Sequence, residues 1–363
     1  MSYQIQIRAG TLRIDTRRED LPLEALLEFA SRENPRRGFL FVSRVLGKHI
    51  PCAPSQMREV YRRLAEKLAD LPGPVVVIGM AETAIGLGGG VADGLAALRG
   101  EDAVLFLHTT RHPLPRKNLL CFDENHSHAP DHILYLPEDD NLALFRQART
   151  LVLVDDEIST GRTLRRLADE LIHHLPALRV CCATSIVNWL PTDTQRHWGE
   201  GLAAEVRFAS LLEGSFSFQP DGGFRPALPP RVTASQPGRP ARADAGRLGL
   251  RLSTDVVLPG GPVPAGPLVV VGTGEFAFQP FLAAERLAAR GRDVLFQSTT
   301  RSPILEGEGI TRKLIFDDEH DEGVCNYLYN LPRDRALILA YEQAAMARGH
   351  GFPAPIAAHW WLD

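Results

Sequence analysis

The run Leu151-Val-Leu-Val-Asp155-Asp156-Glu157-Ile158-Ser159-Thr160-Gly161-Arg162-Thr163 sets two adjacent carboxylates behind four apolar residues, then adds hydroxyl residues and a glycine. The apolar residues predict a buried strand, and the residues from 163 onward predict a helix with Leu164, Leu167, Leu171 and Leu175 on one face. In open α/β sheets, ligands bind beyond the carboxyl ends of strands. A helix amino terminus preceded by small residues offers unpaired N–H groups and a positive dipole end to a phosphate. Residues 159–163 can therefore hold a 5′-phosphate while Asp155 and Asp156, flanked by Glu157, accept hydrogen bonds from vicinal sugar hydroxyls. That is the grip a phosphorylated ribose requires. The plain alternative is a polar turn and helix cap with solvated acids.

This segment resembles the phosphoribosyl-pyrophosphate (PRPP) signature of type I phosphoribosyltransferases. The resemblance implies that Asp155 and Asp156 bind ribose and that Ser159, Thr160, Gly161, Arg162 and Thr163 wrap the 5′-phosphate. It also implies Mg²⁺ as cofactor, carried on PRPP and touching Asp155 or Asp156 rather than held in a protein cage. The turn Gly79-Met80-Ala81-Glu82-Thr83 matches the family's pyrophosphate loop in position. Ala81, Glu82 and Thr83 are the residues expected at the pyrophosphate, and a tight strand-to-helix turn is the alternative.

The elements needed to position these residues are legible. Apolar, β-branched runs at 75–78, 103–108, 151–154 and 180–187 predict strands, with helices near 84–98 and 163–175 between them. Strands alternating with helices predict an α/β fold with a parallel, Rossmann-like sheet. Ahead of it, a strand near 3–14 and helices near 21–32 and 55–69 are expected, with residues 1–70 supplying a small hood. Residues 219–247 shift to Pro, Gly, Arg and Ala and read as a linker between a 1–218 domain and a 248–363 domain.

The second half repeats the first. Val76-Val-Ile-Gly79-Met-Ala-Glu82-Thr aligns with Val269-Val-Val-Gly272-Thr-Gly-Glu275-Phe, and Thr109-Thr110-Arg111-His-Pro113 aligns with Thr299-Thr300-Arg301-Ser302-Pro303. Phe122-Asp-Glu-Asn-His126 aligns with Phe316-Asp-Asp-Glu-His320, and Tyr135-Leu-Pro137 with Asn330-Leu-Pro332. The order indicates a partial, degenerate duplication giving a smaller α/β domain. The copy lacks the acid pair and the phosphate loop. This layout resembles the orotate-phosphoribosyltransferase-like branch found in tellurite-resistance and stress-response gene clusters, whose carboxyl-terminal domain is named for Thr-Arg-Ser-Pro (TRSP). The resemblance implies synthesis of a nucleotide- or nucleoside-like metabolite. Many type I enzymes dimerise so that a loop reaches the neighbouring active site. The copy is therefore expected to act as an intrachain pseudo-dimer, Arg301 and His320 toward a shared cleft, or the chain to dimerise. A structural appendage is the alternative.

Displacing pyrophosphate from PRPP needs cationic donors on the leaving group and exclusion of water. Arg111, Arg116 and Lys117 follow the 103–108 strand and are the pyrophosphate and catalytic candidates; His126 and His128 are candidates for acid–base work. A solvated hairpin with incidental histidines is the alternative. For the acceptor base, the stretch 38–51 with Lys48 and His49 is one candidate, and Asn188-Trp189-Leu190 is another.

Composition narrows the classes. A net charge of −4 argues against a general nucleic-acid binder. Five cysteines with no Cys-x-x-Cys spacing support neither a disulfide framework nor a zinc site. The start of the chain lacks an apolar signal core and no run approaches a membrane span, so a cytoplasmic protein is expected. Two functions remain: a phosphoribosyltransferase acting on PRPP and a small-molecule acceptor, or a regulatory PRPP sensor without turnover.

Overall fold

The computed structural model describes residues 1–32, 34, 37–100, 103–122, 132–225, 238–239, 241–242, 245–252, 256–348 and 350–362. In chain order the elements begin with β1 (Ser2–Ile7), β2 (Gly10–Glu19), α1 (Leu23–Leu26), β3 (Leu27–Ser31), β4 (Phe39–Ser43) and α2 (Pro54–Glu66). Then follow β5 (Val75–Gly79), α3 (Ile85–Arg99), β6 (Val104–His108), β7 (Asn118–Phe122), β8 (His132–Tyr135), α4 (Asp139–Gln147) and β9 (Thr150–Ile158). Next are α5 (Arg162–Leu171), β10 (Val180–Asn188), α6 (Thr192–His197) and β11 (Glu205–Pro220). The second half holds β12 (Leu268–Gly272), α7 (Phe278–Ala289), β13 (Val294–Ser298), β14 (Lys313–Asp317), β15 (Cys325–Tyr329), β16 (Ala336–Tyr341), α8 (Ala344–Ala347) and β17 (Ala358–Trp361). Among the described residues, no helix is long and apolar enough to cross a membrane.

Contacts divide the chain into two units. One is Arg58–Glu213 with Ala241–Val256; the other is Met1–Met57 with Gly214–Pro240 and Val257–Asp363. In the first, β6, β5, β9, β10 and the start of β11 lie side by side, all parallel. The residues of β5 and β6 are buried throughout, which is why they read as continuous apolar runs rather than alternations. Helix α5 covers the sheet with Leu164, Leu167, Ala168 and Leu171, each leucine burial contributing about 1.5–3 kcal/mol.

In the second unit, β13, β12, β16 and β17 form a parallel sheet in that order. This is the order β6, β5, β9, β10 again, and the match extends to single hydrogen bonds. Thr109 N donates to Gly79 O at 3.0 Å, and Thr299 N to Gly272 O at 2.9 Å. The hydroxyl of Thr109 accepts from Ala81 N at 2.8 Å, and that of Thr299 accepts from Gly274 N at 2.7 Å. The Thr110 and Thr300 hydroxyls accept from His112 N and Ser302 N, both at 3.1 Å. Tyr135 and Tyr329 hydroxyls accept from Leu114 N and Ile304 N at 2.6 and 2.8 Å. Tyr135 thus corresponds to Tyr329, one residue earlier than the sequence alignment with Asn330. Asn330 itself, at φ 53°, takes up the extra residue. Since Gly79 pairs with Val154 and Gly272 with Ala340, Tyr341 and Glu342 stand where Asp155 and Asp156 stand.

One expectation changes. The helix expected near 21–32 is a four-residue turn, α1, followed by β3, which pairs with β4. Glu28, Phe29 and Ala30 alternate across a hairpin, and that pairing outweighs the apolar spacing that suggested a helix. The grouping by contacts does not follow chain order. Residues 1–57 join 257–363 because Ala30 and Val42 share a core with Ile304, Ile310, Tyr327 and Tyr329. Residues 241–256 join the first unit because Leu250 pairs with Phe106 of β6, their N–H groups donating to each other's carbonyls at 2.8 and 3.1 Å.

Candidate active site

The acid pair lies at the carboxyl end of β9, where the five buried residues from Thr150 to Val154 give way to half-buried Asp155, Asp156 and Glu157. Beyond Ile158 the chain turns through Ser159 and Thr160 to Gly161, which caps α5 at φ 66°. A β-carbon at Gly161 would stand 2.8 Å from Trp198 Nε1, which donates to the Gly161 carbonyl at 3.1 Å. Positive φ and close approach both require glycine there. The cap makes no side-chain hydrogen bond to α5. Asp155, Glu157 and the run from Ser159 to Thr163 line a small cavity of about 50 Å³. The predicted ribose acids and phosphate loop therefore meet at one strand end.

The turn after β5 reaches the same acids. Thr83 Oγ1 donates to Asp156 Oδ1 at 2.8 Å, and the Ala81–Glu82 peptide is cis. Asp155 Oδ1 in turn accepts from the Asp156 N–H at 3.0 Å. Burial, and after it the charge of Asp156, push the Asp155 carboxyl well above the usual carboxylate range. Hydroxyl donors or a cation at this carboxylate would favour its ionised form.

The remaining candidates are placed less uniformly. Arg111 sits half-buried between Thr110 and His112 in the turn after β6, so it follows the strand next to the acid pair's neighbour β5. Arg116 and Lys117 are exposed, and Arg116 Nε lies 3.2 Å from Glu138. His126 and His128 lie outside the described residues. Lys48 and His49 are buried in the other unit: Lys48 Nζ donates to Gly274 O at 3.3 Å, and the His49 carbonyl accepts from Asn330. Both contacts lie within the unit that holds the repeat. Asn188, the other acceptor candidate, lies beside Ile158 in register, and its Oδ1 accepts from Leu190 N at 2.9 Å. In the repeat, Arg301 Nη2 lies 2.7 Å from Glu322 Oε2, and His320 Nδ1 is 2.8 Å from Arg239 O.

Sequence reasoning missed Thr109 and Arg247. Thr109 holds the Ala81 N–H and contacts His132 Nδ1 at 3.1 Å; its match with Thr299 was the available signal. Arg247 lies in a stretch without hydrophobic period, and nothing local marks it.

Comparison with known proteins identifies the family. The phosphoribosyl transferase family model matches residues 26–215, and a model of the TRSP domain that follows it matches residues 241–350. No curated protein sequence matches the chain. Among solved structures, adenine phosphoribosyltransferase from Giardia lamblia is similar at 15% identity and TM-score 0.33, covering 53% of this chain and 97% of its own. Adenine phosphoribosyl transferase from Trypanosoma brucei follows at 11% identity and TM-score 0.32, over 52% and 77%. Hypoxanthine phosphoribosyltransferase from Trypanosoma cruzi stands at 17% identity and TM-score 0.22, over 46% and 81%. With over half of its length matched by the family model, the chain belongs to the phosphoribosyl transferases and carries the TRSP domain that accompanies them.

Proposed function

We propose that the protein transfers the 5-phosphoribosyl group of PRPP to a nucleobase or base-like acceptor, releasing pyrophosphate, in the synthesis of a nucleotide- or nucleoside-like metabolite. The observation that carries this reading is the meeting of the acid pair and a small cavity lined by residues 159–163 at the end of β9, with Thr83 of the 79–83 turn bonded to Asp156. Asp155 and Asp156 hold the ribose hydroxyls, and Ser159, Thr160, Gly161, Arg162 and Thr163 hold the 5′-phosphate. The bond from C1′ to pyrophosphate breaks with an oxocarbenium-like state, and the acceptor nitrogen bonds to C1′. Ala81, Glu82 and Thr83, with Arg111, Arg116 and Lys117, take the leaving group, and His126 and His128 handle protons. Lys48 and His49 hold the acceptor base, with Asn188 at the end of β10 as the second candidate.

Two hard carboxylates beside substrate phosphates suit Mg²⁺, which keeps part of its shell as water and substrate oxygen. The ion would rest on Asp155 or Asp156 and on PRPP itself. When bound, Mg²⁺ neutralises charge developing on pyrophosphate. The repeat takes part in turnover through Arg301 and His320, the part a second subunit plays in dimeric enzymes. The resemblance to tellurite-resistance and stress-response proteins supports a role for the product in stress.

Pyrophosphate release from PRPP across purines, pyrimidines and aromatic amines, with and without Mg²⁺, tests the reading. Release with one acceptor class, lost without Mg²⁺, is expected. Tight PRPP binding with no release across the panel would favour the sensor instead.

A further inference from the structure

Residues 241–256 begin the stretch matched by the TRSP model, yet they pack within the unit that carries the acid pair. Leu250 extends the sheet at the edge of β6, and Asn141 of α4 donates to Gly249 O at 3.3 Å and accepts from Arg251 Nε at 3.2 Å. Between these anchors, the Ala245 carbonyl lies 3.1 Å from His108 Nε2, at the last residue of β6. Arg247 follows, fully buried. Its Nε donates to Thr110 Oγ1 at 3.0 Å, and its Nη1 donates to Arg242 O at 2.8 Å.

A buried guanidinium is expensive, and an apolar side chain would fill the space at less cost. What the arginine adds is a fixed, always-charged donor at Thr110. That hydroxyl already accepts from His112 N, closing the turn whose middle residue is Arg111. The preceding residue, Thr109, anchors the Ala81 N–H. One side chain thus clamps the turn that joins the two segments expected at pyrophosphate. Being buried, its charge is also little screened by salt.

We infer that Arg247 is a positioning residue for the leaving-group side of the site, so that the first residues of the TRSP region complete the phosphoribosyl transfer unit. The inference rests on the PRPP reading above. It acts through Thr110 on Arg111 and, through Thr109, on Ala81; the ribose and 5′-phosphate end, held by β9 and α5, does not depend on it.

Calorimetry on the full chain separates these ends, using PRPP with Mg²⁺ and, as a probe lacking pyrophosphate, ribose 5-phosphate. Arg247→Met should weaken PRPP binding about ten- to a hundredfold, the range of a charge-assisted hydrogen bond, and leave ribose 5-phosphate within about twofold. Arg247→Lys should recover part of the loss. Thr110→Val should reproduce it, and the double variant should lose less than the two single losses combined. If Arg247→Met does not fold, the lysine and Thr110 variants carry the comparison. Unchanged PRPP affinity overturns the inference, as does an equal loss for ribose 5-phosphate, which would mark a general structural role. A wild-type protein that binds ribose 5-phosphate and PRPP equally would also overturn it. One that binds neither would refute the PRPP reading before any variant is compared.

Discussion

Burial and the Asp156 charge raise the Asp155 carboxyl, so the folded protein keeps a proton there that the unfolded chain has released. Between the ordinary carboxylate range and the raised value, the native state binds more protons than the unfolded state. Stability contributed at this group therefore falls as pH rises through that window. Asp155→Asn removes the titration and should give a higher thermal midpoint than wild type at neutral pH, with the gap closing toward pH 4. Parallel midpoint-versus-pH curves for the two proteins would contradict the assignment. Such a cost at one residue is what a binding site carries when its ligand supplies the missing donors. The acid pair and phosphate loop were legible in the sequence because strand, acids, small residues and helix are contiguous there. Thr109 was marked only by its match with Thr299, and Arg247 not at all, since a hydrogen bond across 137 residues leaves no local pattern.

Helix α3 shows why spacing alone places an element without explaining it. Its run Gly88-Gly89-Gly90 is poor helix-forming sequence, with each glycine costing about 1 kcal/mol against alanine. Packing requires it: a β-carbon at Gly90 would stand 2.1–2.4 Å from the Tyr61 ring of α2. Gly90→Ala should gain about 1 kcal/mol of propensity and lose about 1–3 kcal/mol to overpacking, leaving the protein less stable in urea. A more stable variant would show that α2 can move aside. The long elements of the first sheet were read correctly because they are buried on both faces. The region 21–32 was not, because a short hairpin is set by the pairing of its strands.

Across the whole molecule, the duplicated strand order and matching turn bonds make the TRSP half a second copy of the sheet that carries the site. The copy was visible in the sequence through its Thr-Thr-Arg and Phe-Asp runs, whereas the mixing of amino- and carboxyl-terminal segments in one unit was not, since the residues that share that core lie hundreds of positions apart. Arg301→Ala should lower turnover at least tenfold with PRPP affinity intact if the repeat takes part in the reaction. Glu322→Gln serves as control, because it loosens the same ion pair while keeping the arginine. Equal losses in both variants, or none, would leave the repeat a structural part. Calorimetric titration of PRPP into the Asp155→Asn, Asp156→Asn double variant tests most directly whether the end of β9 grips PRPP. Wild type should bind and the folded double variant should not, with affinity falling at least a hundredfold; undiminished binding would contradict a PRPP site there.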